Sequence, residues 1–342
     1  MKNQNHKVNA EIWLLIDSRD VGGIESHILQ LAQGLKSFQR SVQVIFLHQY
    51  DSTHPLTYLL DDANISYRFL NGSLRDLFHY TRKHSPAVIH SHGYKAALYS
   101  RLLRLSLLTS HQKIRFINTF HAGEINKGKL AIYDFLDRWS APLSHHNFVV
   151  SEQIKSRIPS KTAVLNNFIT TQNLARSQGS QVAFVGRFSY EKAPDRFIQL
   201  AQKHPEHQFH LYGSGPMEQE LLKQATSNVV FHGHKNSMDL IWNNIGLLVI
   251  CSRYEGLPMT ALEAMGRGIP VISTPVGNLH KLIKHEKNSW IVKPEVLSQS
   301  LTHWFSLSNQ QKDPIQKAAQ KTIQNTFSTE SIIPIILTAY QA

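Results

Sequence analysis

The chain has 342 residues, of which 42% are hydrophobic and 18% charged, and its formal net charge at pH 7 is +12. These proportions are those of a folded globular protein and exclude a disordered or fibrous one. The length exceeds what one hydrophobic core usually supports, so two domains are predicted. No apolar run reaches the roughly 18 residues of a membrane-spanning helix. The short apolar segment at residues 12–16 is predicted to be a first strand, not the core of a signal peptide.

The composition also limits the compartment and the partners. The single cysteine, Cys251, lies in an apolar run, which excludes an intramolecular disulfide and predicts a buried, unreactive thiol in a reducing, cytoplasmic compartment. The positive net charge favours phosphorylated substrates, anionic lipid or nucleic acid as binding partners. No nucleic-acid partner is predicted, because the chain has no block of basic residues and no aromatic-basic RNA-binding motif. The histidines at 90 and 92 and at 145 and 146 have no metal-ligand spacing, so no metal is predicted.

Short apolar segments alternate with segments of helical period, which predicts parallel sheets with crossover helices. In the first half the predicted strands are Ile12–Ile16, Val42–Leu47, Ala87–His90, Arg115–Thr119 and Asn147–Val150. One helix is predicted after the first strand and another over Tyr94–Leu108, where Leu98, Leu102 and Leu105 share one side.

The second half repeats this order of elements. Its predicted strands are Val182–Val185, Phe209–Tyr212, Val229–His232, Gly246–Ile250, Val271–Ser273 and Trp290–Val292, and its predicted helices are Pro216–Gln224, Met259–Gly266 and Val296–Phe305. Thr170–Ser180 lacks periodicity and is predicted to be a linker. The fold class is therefore α/β, with two Rossmann-like, doubly wound parallel-sheet domains and a ligand-binding cleft between them.

The loop after the first predicted strand contains Gly22 and Gly23. A glycine pair allows close backbone approach, and the helix that follows offers free N–H groups to an anion. Glu25 falls in the first helical turn, where an acidic residue suits the helix dipole. The spacing is not a dinucleotide fingerprint, and an ordinary turn remains an alternative.

Two loops of the second half also follow strands. Gly186, Arg187 and Lys192 lie in the first, and a guanidinium with an ammonium suits a diphosphate whose charge grows during reaction. A solvated basic loop is the alternative. Gly213 and Gly215 lie in the second, where they either leave the backbone open to a ligand or form a plain strand-to-helix turn.

The strongest motif runs from Ser252 to Gly266. Its Gly256 and Pro258 allow a tight turn into a helix whose unpaired N–H groups are predicted to face the cleft. Glu255 precedes that helix and Glu263 follows eight residues later, roughly 12 Å along a helix. This exceeds the roughly 5–9.5 Å between the carboxyl groups of a glycosidase. The two glutamates are therefore predicted to hold different parts of one extended ligand, with two solvated glutamates as the alternative.

His121 ends one predicted strand of the first half and His92 follows another. A histidine at the carboxyl end of a strand is a candidate polar contact or acid–base group. Satisfied core or loop histidines are the alternative.

In this order the motifs resemble those of the retaining glycosyltransferases of family 4, which have the GT-B fold of two Rossmann-like domains. The resemblance runs from Gly22 to about Val292 and is densest over residues 182–278. It implies domains at 1–168 for the acceptor and 169–325 for the donor, with residues 326–342 forming a helix that crosses back to the first domain.

The resemblance also implies roles for individual residues. Arg187 and Lys192 would bind the donor diphosphate and stabilise the leaving nucleoside diphosphate. Glu255 would hold sugar hydroxyls, Glu263 would accept hydrogen bonds from the ribose, and His121 would contact the sugar near the reacting carbon. The remaining donor-side positions are Gly22, Gly23, Gly186, Gly213, Gly215, Gly256, Leu257, Pro258 and Met259. Glu25 and His92 are acceptor-side candidates.

The implied activity is transfer with retention, without a metal or another cofactor. The implied donor is a UDP-sugar, and the implied acceptor is a saccharide or lipid-linked saccharide of lipopolysaccharide, capsule or exopolysaccharide. A GDP-mannose-dependent mannosyltransferase and a catalytically silent GT-B binding protein are the alternatives. The complete set of donor groups argues against the silent protein.

Two positions depart from the family pattern, at Gly277-Asn278 and at Asn288-Ser289. Neither is predicted to touch the diphosphate-binding residues, so we expect effects on loop shape and sugar choice.

The charge is concentrated in the first half. Residues 1–167 carry 20 Lys and Arg against 12 Asp and Glu, a surplus of 8. Lys95, Arg101 and Arg104 lie on the predicted helix at 94–108. A basic surface there would suit peripheral docking at the anionic inner face of the plasma membrane, and an ordinary sheet-covering helix with basic outer residues is the alternative.

Overall fold

The computed structural model describes residues 11–19, 22–50, 53–110, 112–121, 129–172, 174–235 and 237–341. The chain divides into two compact units. Unit 1 consists of residues 1–166 together with 329–342, and unit 2 consists of residues 167–328. Each unit contains one parallel β-sheet. Among the described helices, none is long and apolar enough to cross a membrane.

The seven strands of unit 1 form one sheet in the order β3-β2-β1-β4-β5-β6-β7. They are β1 (Ile12–Ile16), β2 (Val42–Phe46), β3 (Ser66–Phe69), β4 (Val88–His92), β5 (Arg115–Phe120), β6 (His146–Val149) and β7 (Ala163–Val164). The helices of its first segment are α1 (Gly23–Ser37), α2 (Leu56–Asp62), α3 (Leu74–His84), α4 (Tyr94–Ser106), α5 (Lys129–Trp139) and α6 (Glu152–Lys155), with a 3-10 helix at Ala141–Leu143.

The predicted strands of unit 1 are confirmed to within two residues, because each contains a short run of apolar or β-branched residues. All five residues of β1 and of β4 are buried, as expected when helices cover both faces of a parallel sheet. The sequence did not predict β3 and β7. β3 lies at the edge of the sheet and has no buried residue, and β7 has only two residues.

Unit 2 contains a six-stranded parallel sheet in the order β10-β9-β8-β11-β12-β13. Its strands are β8 (Gln181–Val185), β9 (Phe209–Tyr212), β10 (Val229–Phe231), β11 (Ile245–Ile250), β12 (Val271–Ser273) and β13 (Trp290–Ile291). Its helices are α7 (Pro194–Lys203), α8 (Glu218–Gln224), α9 (Met259–Gly266), α10 (Leu279–Leu282), α11 (Leu297–Ser306) and α12 (Asn309–Thr326), with 3-10 helices at Trp242–Asn244 and Pro294–Val296. The predicted helix at 259–266 coincides with α9.

The last helix, α13 (Thr329–Gln341), belongs to unit 1. It packs against α1, where a Cβ on Gly34 would lie 2.7 Å from the side chain of Ile333. The hydroxyl of Tyr340 lies 2.8 Å from Nδ1 of the buried His90. The sequence resemblance places the start of this returning segment at residue 326, and the structure places it at Thr329.

The predicted linker at 170–180 is largely part of unit 2. The backbone N–H of Ser177 donates to the carbonyl of Arg267 at 2.8 Å, and its hydroxyl donates to the carbonyl of Ile245 at 2.7 Å. A Cβ on Gly179 would lie 2.0 Å from the carbonyl carbon of Asn244. The boundary between unit 1 and unit 2 falls after Asn166, before the predicted linker. Residues 170–180 belong to unit 2 because hydrogen bonds hold them to it.

The prediction for the outer face of α4 is wrong in one respect. Arg101 was expected on the outside with Lys95 and Arg104, but it is buried. Leu102 and Leu105, two of the three leucines that mark the apolar side, are exposed. The cause is an ion pair between Arg101 and Asp137 of α5, which turns this face of α4 inward.

Candidate active site

In unit 2, four adjacent strands end at one edge of the sheet, in the order β9, β8, β11 and β12. The loops that follow them carry Gly213, Arg187, Glu255 and Gly277 respectively. Carboxyl ends of neighbouring parallel strands lie at the same edge, which is where open α/β sheets bind ligands. The motifs predicted from the sequence for the second half are therefore brought to one side of one sheet.

The loops after β8 and β9 pack directly on each other. Gly213 has φ of +141°, and a Cβ there would lie 2.0 Å from the carbonyl oxygen of Gly186. A Cβ on Gly215 would lie 2.6 Å from the carbonyl oxygen of Phe188. Phe188 N–H donates to the Ser214 carbonyl at 2.9 Å. A side chain at Gly213 or Gly215 would clash with the backbone of the neighbouring loop, which explains why both positions are glycine. Their contact with a donor stays a prediction.

An ion pair joins the loops after β8 and β11. The ammonium of Lys192 forms an ion pair with the carboxylate of Glu255. The hydroxyl of Ser252 donates to the same carboxylate oxygen, Oε1, at 3.1 Å. Lys192 therefore does not stand in a simple solvated basic loop, since it is paired with a second motif residue. Arg187, on the same loop as Lys192, is exposed.

Hydrogen bonds and an ion pair from Arg253, which the sequence did not reveal, also hold these two loops together. The backbone N–H of Arg253 donates to the carbonyl of Glu191 at 2.7 Å. Its guanidinium makes two bonds to the carboxylate of Asp195, at 3.0 and 2.6 Å, and one to the carbonyl of Tyr190 at 2.8 Å. The bidentate pair fixes geometry as well as charge. Arg253 precedes Glu255 by two residues, so these interactions of Arg253 position the Glu255 carboxylate relative to Lys192.

The turn before α9 is open on one side. A Cβ on Gly256 would meet no atom within 4 Å, whereas one on Gly277 would lie 2.0 Å from the carbonyl oxygen of Gly256. Asn278 N–H donates to that same carbonyl at 2.9 Å. The Gly277-Asn278 departure from the family pattern therefore lies directly against the Glu255 loop, closer to the predicted site than expected from the sequence.

Three further positions of this motif complete the turn. Leu257 and Pro258 are buried, and Pro258 caps α9, so that Met259 is the first helical residue. Asn167 donates from its side-chain amide to the Leu257 carbonyl at 2.9 Å. Backbone N–H groups in the first turn of a helix have no partner within the helix and suit an anion or hydroxyl ligand.

Glu263, in the second turn of α9, is half-buried, which excludes a fully solvated glutamate. Burial raises its pKa to about 7, although the nearby Arg267 opposes this shift. Arg267 is itself paired with Asp239 at 2.8 Å. Around neutral pH, Glu263 therefore exists in both protonated and ionised forms, and a hydroxyl that donates to it would favour the ionised one.

In unit 1, the corresponding edge is formed by β1, β4 and β5. Ile16 of β1 is in register with His92 of β4, which is in register with Thr119 of β5. The backbone N–H of Gly22 donates to the carboxylate of Glu25 at 2.8 Å, so the acceptor-side candidate Glu25 caps α1. A Cβ on Gly23 would meet no atom within 4 Å, so the backbone here is open.

Three histidines meet at this edge. His92 Nδ1 lies 3.0 Å from His121 Nε2, and the ring of His27 lies edge-on to that of His121 with centroids 4.9 Å apart. Desolvation by burial, with repulsion between neighbouring imidazoles, holds the pKa of His92 and of His121 well below the ordinary value. All three side chains place a nitrogen within 4.8 Å of the other two. We call His27, His92 and His121 the histidine cluster.

The sequence indicated two of the three residues of the histidine cluster, His92 and His121. His27 was not singled out, because it lies within the helical pattern of α1 and far along the chain from the other two. Neutral imidazoles both donate and accept hydrogen bonds, and they are also the form that binds a metal. Among the described residues, this is the group whose ligand atoms lie close enough to hold a metal ion. Spacing along the chain does not detect this group, because its three histidines come from separate elements.

Two other sequence-based interpretations fit the structure. His90 is buried and lies 2.7 Å from the hydroxyl of Thr119 as well as against Tyr340, so it is a satisfied core histidine. Burial raises the pKa of the Cys251 thiol to about 12, which makes it unreactive.

Two protein-family models match the chain in succession. The model "Glycosyltransferase Family 4" matches residues 21–172, and the model "Glycosyl transferases group 1" matches residues 167–321. The chain belongs to glycosyltransferase family 4. This confirms the family indicated by the sequence motifs.

Curated relatives match about half of the chain. It is 27% identical over 201 residues to the O-antigen biosynthesis glycosyltransferase WbnH of Escherichia coli, covering 55% of this chain and 58% of WbnH. It is 28% identical over 177 residues to the Vi polysaccharide biosynthesis protein VipC/TviE of Salmonella typhi, covering 48% of this chain and 30% of that protein. The matches thus span less than two thirds of either relative.

Solved structures match over nearly the whole chain. Anabaena HepE, crystallised with UDP and glucose, superposes with a TM-score of 0.79 at 16% identity, covering 97% of this chain and 100% of HepE. The lipopolysaccharide outer core galactosyltransferase WaaB gives a TM-score of 0.70 at 18% identity, covering 96% and 98%. At these identities the likeness shows the fold, which is GT-B as predicted.

Proposed function

We propose that the chain is a retaining glycosyltransferase that moves a sugar from a UDP-linked donor to a saccharide or lipid-linked saccharide during synthesis of a cell-surface polysaccharide. The observation that carries this proposal is the pair of Lys192 and Glu255, formed where β8 and β11 end side by side. It places a cation for phosphate and a carboxylate for sugar hydroxyls next to each other, with the Arg187 guanidinium on the same loop.

In the proposed reaction, the bond between the anomeric carbon and the diphosphate oxygen breaks. The acceptor hydroxyl oxygen bonds to that carbon on the same face, which retains the configuration. The acceptor proton passes to the departing phosphate oxygen, and the nucleoside diphosphate leaves. Arg187 and Lys192 stabilise the negative charge that grows on the leaving group. An ammonium has three N–H donors, so Lys192 can hold Glu255 and a phosphate oxygen together.

The other residues are assigned by the family resemblance and by their positions. Glu255 and the backbone N–H groups that begin α9 are proposed to hold the sugar hydroxyls, and Glu263 the ribose. In unit 1, His121 is proposed to contact the sugar, and the open backbone at Gly23 to approach the ligand. The positive side chains supply the charge stabilisation that a divalent metal would otherwise supply, so the proposed reaction uses no metal and no cofactor.

The relatives support the pathway and the nucleotide. WbnH and VipC/TviE carry names from O-antigen and Vi polysaccharide biosynthesis, and HepE was crystallised with UDP. We therefore propose a UDP-sugar as donor and a precursor of a surface polysaccharide as acceptor. The place of reaction is proposed to be the cytoplasm, at the inner face of the plasma membrane.

A thermal-shift screen tests the donor site. UDP should raise the melting temperature more than GDP or ADP, because a ligand that binds only the folded state stabilises it. Lys192→Ala should reduce this rise, while Lys203→Ala, which removes an exposed lysine at the end of α7, should not. A selective response to GDP would replace the UDP assignment with a GDP-sugar. No response to any nucleotide or nucleotide-sugar would contradict a nucleotide-sugar-dependent enzyme.

A further inference from the structure

Three separate elements of unit 1 bring the histidine cluster together. His27 lies in α1, His92 is the last residue of β4, and His121 directly follows β5. β4 and β5 are paired strands of one sheet, and His27 and His92 are 1% and 0% exposed. The core of unit 1 therefore holds these rings in place, so a ligand that binds them does not have to assemble its own site.

The distances within the histidine cluster suit a metal ion. Each ring offers one nitrogen that lies within 4.8 Å of the nitrogens offered by the other two, and Nδ1 of His92 lies 3.0 Å from Nε2 of His121. Tetrahedral zinc binds imidazole nitrogen at about 2.0–2.1 Å, which places two ligand nitrogens about 3.3 Å apart. No pair of these nitrogens is therefore more than about 1.5 Å too far apart for a shared ion.

The protein does not use all the hydrogen-bonding capacity of His92. Its Nδ1 contacts His121, but its buried Nε2 has no hydrogen-bond partner in the described part of the chain. His90, whose ring centroid lies 4.3 Å from that of His92, has both nitrogens occupied, by Tyr340 and Thr119. Buried polar atoms are nearly always paired, so an exception indicates a further role. His92 therefore keeps a ring nitrogen available to a ligand, whereas His90 is a core histidine.

The chemistry of imidazole selects the class of metal. Imidazole nitrogen suits Zn²⁺, Ni²⁺ and Cu²⁺, whereas Mg²⁺ and Ca²⁺ prefer oxygen ligands. Three histidines leave the fourth tetrahedral position to a water molecule. His121 is half-buried and the other two rings are buried, so the ion reaches the cluster from the side of His121.

We propose that one ring nitrogen each of His27, His92 and His121 binds a Zn²⁺ ion, with water in the fourth position. The ion replaces the contact between His92 and His121. Its effect on transfer rests on the proposed function: His121, assigned there to the sugar, is held by the ion, and bound Zn²⁺ therefore inhibits transfer. The site is distinct from the charge stabilisation by Arg187 and Lys192, which uses no metal.

Titration calorimetry with ZnCl2 tests the site without any transfer reaction. Protein freed of metal by EDTA and dialysis should bind one Zn²⁺ per chain tightly, and MgCl2 should not compete. His27→Gln keeps a polar side chain and should weaken this binding at least about 100-fold, since losing a ligand costs more than the roughly 10- to 100-fold lost with a group that supports one. His92→Gln should do the same, and the melting temperature of each metal-free variant identifies those that fold.

A pair of histidines in unit 2 provides the matched control. Nδ1 of His210 lies 3.0 Å from Nε2 of His232, the same contact as in the histidine cluster. Among the described residues, no third histidine, cysteine or acid completes a metal-binding group with this pair. His232→Gln should therefore keep the tight Zn²⁺ site. Unchanged Zn²⁺ affinity in folded His27→Gln or His92→Gln would overturn the site, as would its loss in His232→Gln.

The effect on transfer is a separate measurement. Added Zn²⁺ should inhibit the metal-free protein, and EDTA added afterwards should restore the rate. The same free Zn²⁺ should not inhibit His27→Gln, relative to the rate of that variant without metal, which also excludes an effect of Zn²⁺ on the donor. A rate that Zn²⁺ leaves unchanged or raises would overturn the inhibition. Failure of the metal-free protein to transfer any sugar would contradict the proposed function, and calorimetry would still decide the Zn²⁺ site.

Discussion

The two sheets end in edges of different chemical character. The edge of unit 2 is ionic, with Lys192 paired to Glu255 and the exposed Arg187 on the same loop as Lys192. The edge of unit 1 gathers the histidine cluster, in which burial lowers the pKa of His92 and His121, beside Gly23. Two sheets of the same type thus present a cationic site and a neutral, hydrogen-bonding one. In the proposed reaction the ionic edge suits the diphosphate, which needs positive charge, and the histidine cluster offers groups that can donate to and accept from hydroxyls.

The edges also differ in how firmly their loops are held. Gly213 and Gly277 lie against backbone atoms of neighbouring loops, so the unit 2 loops are packed into one surface. A Cβ on Gly23 or Gly93, at the unit 1 edge, would meet no atom within 4 Å. Preorganised charge stabilises a transition state without reorganisation during the reaction. Gly256, at the unit 2 edge, is open in the same way, so the packed surface is made by the Gly213 and Gly277 loops. In the proposed reaction that packed surface suits the leaving group.

The largest effect is expected from the ionic edge. Lys192→Ala or Glu255→Ala should lower kcat for transfer by about 100- to 1,000-fold, the range seen when one preorganised group is removed from a charge-stabilising site. Thermal unfolding should change little in Lys192→Ala, because the Lys192 side chain is 34% exposed. Steady-state kinetics and calorimetry measure the two quantities. Lys203→Ala is the control, and full activity in Lys192→Ala or Glu255→Ala would refute the site.

A smaller effect is expected from the neutral edge. His121→Ala should lower kcat about tenfold, the size of one lost hydrogen bond to a sugar hydroxyl. The dissociation constant of UDP should stay the same, since UDP lacks the transferred sugar that His121 is proposed to contact. Titration calorimetry with UDP and with UDP-sugar separates these outcomes, and His79→Ala on the exposed side of α3 is the control. An equal loss of UDP affinity would show that the two edges do not divide the ligand in this way.

The pH dependence of nucleotide binding gives a third test. Glu263 has its pKa raised to about 7, so it carries a proton below that pH and is ionised above it. A ribose hydroxyl that donates to the carboxylate favours the ionised form, so UDP affinity should rise about tenfold from about pH 6 to pH 8. Glu263→Gln should lose this component while keeping any titration of the nucleotide phosphate. A parallel pH profile in both proteins would remove Glu263 from the ribose site.

The smallest effect is expected from chelation. Because Arg187 and Lys192 supply positive charge, EDTA should leave the rate of transfer unchanged. If activity were lost and Zn²⁺ restored it, the histidine cluster would be the metal site to test first, by replacing His27 or His92. That result would overturn both the metal-free reaction and the division into an ionic and a neutral edge.

Local patterns predicted most of the fold. The apolar run of β11 and the Gly256–Pro258 turn before α9 carry their own signals, so their positions along the chain were predicted closely. β3 was missed because an edge strand needs no buried side. The prediction for Arg101 failed for a different reason, since its burial depends on Asp137 in another helix. A pattern within one helix carries no information about a partner elsewhere in the chain.

The same limit applies to the candidate sites. Sequence order identified Lys192 and Glu255 but not that they form an ion pair, because 62 residues separate them along the chain. His27 has no signal of its own, and only the pairing of β1 with β4 brings α1 next to His92. The sequence predicts either an open backbone or a plain turn at Gly213, but it does not predict the φ of +141° or the close Gly186 carbonyl, because both depend on the neighbouring loop.

The return of α13 to unit 1 has a consequence for synthesis on the ribosome. Unit 2 is one continuous stretch, whereas unit 1 needs both ends of the chain. Domains generally fold as they emerge, so unit 2 can complete its sheet while unit 1 still lacks its last helix and the partner of His90 at Tyr340. The segment made first is therefore completed after unit 2, and its core stays unfinished until residues 329–341 have been made.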